Sequence, residues 1–244
     1  MTASLLNSLL RALLRWGAAL AFCLPLRHRP HFWPRACGML FPLLLLALML
    51  DPLAQSTTLW QQQLLLLVLY VSFFALLGGM IYLCTDINKK GAMYCAVWSL
   101  LIAQCAYEGW CFLELYFSRH GHPLNMASPW AVLVQLLSGT VFFAAVYILL
   151  ARQLPYKGEY HIGPRQLLSS FFIGILFMVQ AAVLDNFRVE QFPQSLVATI
   201  LIGQFYFITL LYFQSELFKK SAMEKEMNAL NLLYERQRQQ YQVA

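Results

Sequence analysis

Long apolar runs separated by short polar segments dominate this chain of 244 residues. No run alternates apolar and polar residues with the two-residue period of a strand, and each is near the ~20 residues that a helix needs to cross a bilayer. The pattern therefore predicts an all-α fold, a polytopic membrane bundle. Its seven predicted transmembrane helices cover residues 5–26, 36–53, 64–83, 92–117, 129–151, 167–184 and 195–212.

The first run is ambiguous because Arg11 and Arg15 lie one turn apart on the same face of the predicted helix. Its charge-free part, residues 16–26, is too short to cross a bilayer alone. A spanning helix would hold Arg15 near mid-depth, at a cost of about 2.5–3.5 kcal/mol. The alternative is an amphipathic helix in the interface, which would leave six spans. We adopt the spanning helix as the prediction.

A proline-rich connector, CLPLRHRPHFWPR, follows at residues 23–35. Because proline disfavours a helix at its own position and at the one before, this segment is predicted to be extended and to separate two helices. Phe32 and Trp33, beside Arg35, are expected at the depth of the lipid headgroups. His28 and His31 have no carboxylate or thiol close in sequence, so they do not predict a metal site.

Composition excludes an ordinary soluble domain, because 60% of the residues are hydrophobic and only 11% are charged, whereas about a quarter are charged in typical soluble domains.

The net charge of +6 comes from lysines and arginines in short segments between apolar runs. Thirteen of these fall on one predicted side and two on the other, or four with Arg11 and Arg15. The positive-inside rule then predicts a cell-membrane protein with a cytoplasmic C-terminus and an outside N-terminus. Binding to nucleic acid is not expected.

The end of the chain differs from the rest. Residues 213–241 contain no proline or glycine and consist largely of strong helix formers, so one helix is predicted to continue out of the last span. The chain thus divides into a sensor bundle, residues 1–212, and a cytoplasmic coiled-coil-like signalling helix, residues 213–244. A solvated tail is the alternative. The heptad seam of this helix is apolar in the middle and polar towards its ends, and it comprises Lys220, Met223, Met227, Leu230, Tyr234, Gln237 and Tyr241.

Polar residues inside the spans are the candidate sensing groups, because such residues are expensive in a membrane. Glu108 is the deepest acid and shares a helix face with Gln104. In a packed bundle, glutamines of the fifth, sixth and seventh spans could approach Glu108, although such amides can also be structural, at about 0.6 kcal/mol per hydrogen bond. The outer loops are too short for an extracellular domain, so a small molecule, a lipid or a short hydrophobic peptide would bind at or between the spans. The ligand-sensing candidates are Glu108, Glu114, Gln104, Gln135, Gln180, Gln204, Asp185 and Arg188.

Motifs for catalysis are absent from the sequence: it has no phosphate-binding glycine loop, no His-Glu-x-x-His and no Gly-x-Ser-x-Gly. No enzyme activity of this chain, no cofactor and no metal are therefore predicted. The pair His120 and His122 is interpreted as solvated. The six cysteines lie in or beside apolar runs without a Cys-x-x-Cys motif, and they are interpreted as small packing residues.

Two stretches, CLPLRHRPHFWPR at residues 23–35 and LLYERQRQQYQ at residues 232–242, resemble the membrane input halves of bacterial sensor histidine kinases of the GHKL ATPase class. Agr-type quorum-sensing receptor kinases have a similar architecture. The likeness covers the layout of the whole chain, and its specific motifs cover about two dozen residues. It implies a bundle of six or seven spans, a cytoplasmic helix, a helix with the phosphorylated histidine, an ATP-binding domain and a response regulator as partner in a two-component system.

The chain departs from that family at its end. Ala244 stands where the phosphoacceptor helix would begin, and neither that histidine nor the ATP-binding boxes can be matched. We therefore expect either a truncated sensor half or a stand-alone relative, acting in the membrane as the signal-input module of a kinase and as a homodimer. Two other functions stay open: a small transporter that uses Glu108 as a proton or ion relay, and a membrane scaffold whose tail recruits a partner.

Overall fold

The computed structural model describes residues 2–55, 59–119, 129–149, 151, 162–187 and 194–243. These residues are almost entirely helical and form no strand, which confirms the predicted all-α class. Within the described ranges the helices are α1 (Thr2–Cys23), α2 (Phe32–Gln55), α3 (Leu59–Cys84), α4 (Lys89–Arg119), α5 (Pro129–Leu149), α6 (Pro164–Phe187) and α7 (Gln194–Val243).

Three of the described helices are long and apolar enough to cross a membrane, which is consistent with a membrane protein. Their candidate spans are Phe32–Met49 in α2, Leu67–Cys84 in α3 and Lys89–Ser118 in α4. Shorter apolar stretches occur in α5 (Leu133–Leu149) and α6 (Pro164–Phe177). The count of seven spans remains a prediction.

The chain forms two compact units, residues 1–208 and residues 209–244. In the first unit, α1 packs against α2, α3, α4 and α5, and α4 also contacts α3, α5 and α6. Ala12, Ala18 and Ala19 are completely buried, and these small side chains allow the neighbouring helices to approach α1 closely. A Cβ atom added at Gly17 would lie 3.1 Å from the Phe143 ring of α5. The first helix therefore lies among the others and not at the edge of the bundle.

Local chemistry explains where the helices begin. Asn88 caps α4, because its side-chain oxygen accepts a hydrogen bond of 2.7 Å from the N–H of Gly91. Proline is the first residue of α5 and of α6, a position where its fixed φ suits a helix and its missing N–H costs nothing. No proline or glycine follows Gly203 in α7, so the helix continues for 50 residues in total, as its sequence predicts.

The connector between α1 and α2 is attached to the end of α3. His28 and Thr85 form an antiparallel bridge, and the N–H of Arg29 donates to the carbonyl of Cys84 at 3.0 Å. The guanidinium of Arg35 donates to the carbonyl of Leu83, also at 3.0 Å. These donors satisfy carbonyls that the last turn of a helix leaves without partners, and a positive charge is favourable at that end.

The connector is shorter than predicted, because α2 begins at Phe32 and not after Arg35. Pro34 does not prevent this, since a proline in the first turn of a helix removes an N–H that would have no partner there. Phe32 is buried, with its ring centroid 4.1 Å from that of His28, whereas Trp33 is exposed. The headgroup depth of these two rings remains a prediction.

The cysteines are all free thiols. Cys23, Cys84, Cys95 and Cys105 are buried, in agreement with their interpretation as packing residues, and Cys111 is partly buried. Cys37 differs because it is exposed.

Candidate ligand site

A cavity of about 320 Å³ lies between α1, α4, α5 and the first half of α7. Its volume falls at the lower end of the range of small-molecule sites, about 300–1,000 Å³, and most of its wall is apolar. The lining residues are Leu14, Cys105, Ala106, Gly109, Trp110, Phe112, Leu113, Gln135, Ser138, Gly139, Phe142, Leu201 and Phe205.

Small residues on two facing helices leave this space unfilled. The residues that α5 contributes, from Gln135 to Phe142, follow the i, i+3, i+4, i+7 spacing of a single helix face. On α4 the lining includes Ala106 and Gly109, and a Cβ atom added at Gly109 would meet no atom within 4 Å. Ser138 and Gly139 are equally small on α5, which leaves space between the two helices at this level.

Two nitrogen donors in the cavity wall have no acceptor. Trp110 is 3% exposed and Gln135 is 5% exposed. Among the described residues, neither the indole Nε1 of Trp110 nor the amide Nε2 of Gln135 has a hydrogen-bond partner. A buried donor left in this way costs about 1–3 kcal/mol. Both residues line the cavity, but their nitrogen atoms are themselves enclosed by protein, so they are buried donors of the packed bundle.

Glu108 and Gln104 form a buried pair along α4. The Nε2 atom of Gln104 donates to the Oε1 atom of Glu108 at 3.0 Å, and the two side chains are 7% and 2% exposed. The sequence prediction that Gln104 and Glu108 share one face of the helix is confirmed. Glu108 is not one of the residues that line the cavity, although its neighbours Cys105 and Gly109 are. The carboxylate is thus held within the bundle beside the cavity.

Several side-chain atoms of the candidate glutamines have no hydrogen-bond partner among the described residues. A Cβ atom added at Gly203 would lie 2.5 Å from the Nε2 atom of Gln180, so this amide packs directly against α7. Within the described ranges, the Oε1 atoms of Gln180 and Gln204 lack a hydrogen-bond partner, as does Nε2 of Gln135. Gly203 has no side chain that could bond the amide, and its backbone belongs to the helix.

Of the other predicted sensing residues, Glu114 is described with its side chain, Asp185 only as part of a helix, and Arg188 not at all. Glu114 is half-buried in α4 and does not line the cavity. Asp185 belongs to the last turn of α6. Arg188, His120 and His122 lie outside the described residues.

Sequence reasoning missed Trp110 and the partners of the two arginines of α1. The guanidinium of Arg15 lies over the ring of Phe73, with Cζ 3.8 Å from the centroid, and that of Arg11 lies over the ring of Tyr107 at 4.3 Å. The two arginines themselves were a signal for these contacts. A cation on an apolar helix needs a partner, and an aromatic ring is one of the few partners that an apolar bundle offers.

Comparison of the chain with protein-family models, with curated proteins and with solved structures gives no match. The class is therefore defined by the fold and the site alone. Over the described residues the chain is all-helical, with helices that can cross a membrane and with a small, largely apolar cavity between α1, α4, α5 and α7.

Proposed function

We propose that this chain is the membrane signal-input module of a two-component sensor histidine kinase. In this role it detects a small, hydrophobic ligand in the bundle and relays the signal through α7 to a cytoplasmic kinase core, which passes it to a response regulator. The observation that carries the proposal is the continuity of α7, which runs for 50 residues from Gln194 to Val243.

The length of α7 exceeds what a membrane crossing requires. It has 50 residues, whereas a bilayer core of about 30 Å needs some 20 residues. About 30 residues remain to extend from the membrane. A helix of this length can transmit a rotation or a shift along its axis, which a flexible linker would absorb.

The apolar middle of the predicted heptad seam is exposed in the single chain. Met223, Met227, Leu230 and Tyr234 are between 55% and 68% exposed. Exposed apolar side chains at heptad spacing are typical of a helix that pairs with a second copy. The proposed state is thus a homodimer that joins two α7 helices. The polar ends of the seam would keep the pairing weak enough to change with the ligand.

The position of the cavity is consistent with sensing from outside. Under the predicted orientation α4 runs outwards and α5 runs inwards. The cavity is lined by the second half of α4, from Cys105 to Leu113, and by the middle of α5, from Gln135 to Phe142. The α4 segment then belongs to the outer half of the bundle and the α5 segment to its middle. Leu201 and Phe205 place the start of α7 in the same wall, so a ligand there touches the helix that would carry the signal.

A phase experiment tests the proposal. The chain is fused to the kinase core of a GHKL-class sensor histidine kinase, and one to four alanines are inserted after Tyr212. Each residue rotates the helix beyond it by about 100°, from 3.6 residues per turn, so one or two insertions should change kinase output strongly. Four insertions, close to a full turn, should largely restore it.

The control inserts four residues of Gly-Ser-Gly-Ser at the same place. It adds the same number of residues but interrupts the helix, and it should uncouple the output from the bundle. Size-exclusion chromatography of each fusion shows that the bundle is intact. Output that ignores helical phase, or that survives the Gly-Ser insertion, would contradict transmission through a rigid α7.

A further inference from the structure

We propose that the connector between α1 and α2 and the turn between α3 and α4 together form a binding surface for the headgroups of anionic membrane lipids. The basic residues of this surface, called the basic surface below, are Arg27, Arg29, Arg35, Lys89 and Lys90. This interaction is separate from signalling, and lipid binding can be measured without a kinase.

Backbone hydrogen bonds bring the two segments of the basic surface together. The N–H of Asp86 donates to the carbonyl of Arg27 at 2.8 Å, and the N–H of Arg29 donates to the carbonyl of Cys84 at 3.0 Å. Helix α4 begins at Lys89, three residues after Asp86. The arginines of the connector therefore lie beside the lysines that begin α4, although the two segments are far apart in the chain.

Two of the arginines are held in place by the end of α3. The guanidinium of Arg29 lies over the ring of Tyr82, with Cζ 4.9 Å from the centroid, and that of Arg35 donates to the carbonyl of Leu83 at 3.0 Å. Arg35 is nevertheless exposed, and Arg29 is partly exposed. A guanidinium has five N–H donors, so one bond to a carbonyl leaves others for a phosphate. Because both groups are already ordered, a phosphate that binds them costs less side-chain entropy.

The basic surface carries an excess of positive charge. Asp86 is the one acidic residue in segments 24–35 and 82–91 of the sequence. Arg27, Lys89 and Lys90 are exposed, and in the part of the chain that the structure describes none of them forms an ion pair. Several cations at one place attract an anion more strongly than any one of them does.

The ends of the candidate spans identify a lipid as the anionic partner. One span begins at Phe32, a second ends at Cys84 and a third begins at Lys89. The boundary of the hydrocarbon layer then falls at the same end of all three spans, at the basic surface. Trp33 is 57% exposed and Leu83 is 44% exposed there, and indole rings beside basic residues are typical of headgroup depth. The anions that are abundant at this depth are the headgroups of acidic phospholipids.

The test is native mass spectrometry of the full chain in detergent, with equal amounts of dioleoyl phosphatidylglycerol and dioleoyl phosphatidylcholine added. The two lipids have the same tails and the same phosphate, but only the first has a net negative charge. Phosphatidylglycerol should bind at least about tenfold more tightly, since each basic residue near the headgroup contributes a factor of about five. Higher ionic strength should reduce this preference, because exposed charges are screened. A preference below about twofold at low ionic strength would overturn the proposal.

Variants locate the effect. Arg27→Gln/Lys89→Gln removes one exposed charge from each segment and should reduce the preference by about fivefold or more. Arg27→Lys/Lys89→Arg keeps both charges and should keep the preference. The control Arg236→Gln/Arg238→Gln removes two exposed charges from the second compact unit, and it should leave the preference unchanged. An equal loss in the two glutamine variants would show that only the net charge of the chain matters, and it would overturn the proposal.

Competition separates a lipid from a soluble anion. An excess of inorganic phosphate, compared with chloride at the same ionic strength, should not displace phosphatidylglycerol, because the lipid is also held by its tails against the apolar ends of the spans. Displacement by inorganic phosphate but not by chloride would assign the basic surface to a free phosphate and would overturn the proposal of a lipid.

Discussion

The guanidinium of Arg11 makes two contacts with Tyr107. Its Cζ atom lies 4.3 Å from the centre of the ring, and its Nη2 atom donates to the Tyr107 hydroxyl at 2.6 Å. One residue of α4 thus offers both an aromatic face and an oxygen to a cation carried by α1. Tyr107 itself is buried, so these contacts are protected from water and are worth more than they would be at an exposed surface.

Substitutions at Tyr107 separate the two contacts. Tyr107→Phe keeps the ring and should cost about 1.5–3 kcal/mol of unfolding free energy, the value of a hydrogen bond to a charged group. Tyr107→Leu loses the ring as well and should cost about 1–2 kcal/mol more. Unfolding in mixed micelles measures both. Tyr206→Phe is the control, since Tyr206 is exposed, and it should stay within about 0.5 kcal/mol. A Tyr107→Phe variant as stable as the native chain would contradict this assignment.

The contact between Arg15 and Phe73 is testable by a double-mutant cycle. Both side chains are buried, and Cζ of Arg15 lies 3.8 Å from the ring centre. Phe73→Leu alone should be strongly destabilising, because it leaves the cation without its aromatic partner. In the Arg15→Leu background the same change should cost less, with a coupling of about 1–2 kcal/mol.

The neighbouring residue supplies the control for this cycle. Phe74 packs edge-on against Phe171, with ring centroids 5.3 Å apart, and no cation is described over its ring. Phe74→Leu should therefore add to Arg15→Leu within about 0.5 kcal/mol. Equal coupling energies at Phe73 and Phe74 would show that the Arg15 substitution acts by repacking the bundle and not through the cation.

The close approach of α1 and α5 predicts a size limit at Gly17. A Cβ atom there would lie 3.1 Å from the Phe143 ring, whereas one at Gly79 would meet nothing within 4 Å. Gly17→Leu should destabilise the bundle by about 1–3 kcal/mol, the usual cost of overpacking, and Gly79→Leu should not. Thermal unfolding in detergent compares the two variants. Equal losses of stability in the two variants would mean that leucine acts on the helix itself and not through packing. If packing against Phe143 is the cause, the double variant Gly17→Leu/Phe143→Ala should recover part of the stability that Gly17→Leu loses.

The elements that could be predicted from sequence are those set by neighbours along the chain. The absence of proline and glycine after Gly203 predicts a single long α7, and the four-residue spacing of Gln104 and Glu108 predicts that they share a helix face, where they are found hydrogen-bonded. The partners of Arg11 and Arg15 lie on other helices, at positions that depend on how the helices pack, so no local pattern gives them. The cavity likewise exists because small residues of α4 meet small residues of α5.

The start of α2 shows a different limit of sequence reasoning. The prolines of the connector predict a break in the helix, and they place that break only to within a turn. Pro34 is compatible both with an extended connector and with the first turn of a helix. The hydrogen bonds that attach the connector to Leu83 and Cys84 at the end of α3 involve residues some 50 positions away in the chain, and no pattern within the connector predicts them.

The exposed seam of α7 gives the last prediction. If two chains pair through it, a cysteine at Leu230 should face its equivalent in the partner chain, and mild oxidation in membranes should give a disulfide-linked dimer. Leu232 is an equally exposed leucine, 60% against 55%, but it lies two positions away in the heptad, on the outer side of the predicted pair. Leu232→Cys should therefore cross-link much more slowly. Both substitutions are made in a Cys37→Ser background, because Cys37 is the exposed native thiol among the described residues. Equal rates at the two positions would indicate random collision, and faster cross-linking at residue 232 would place the pairing face on a different side of α7.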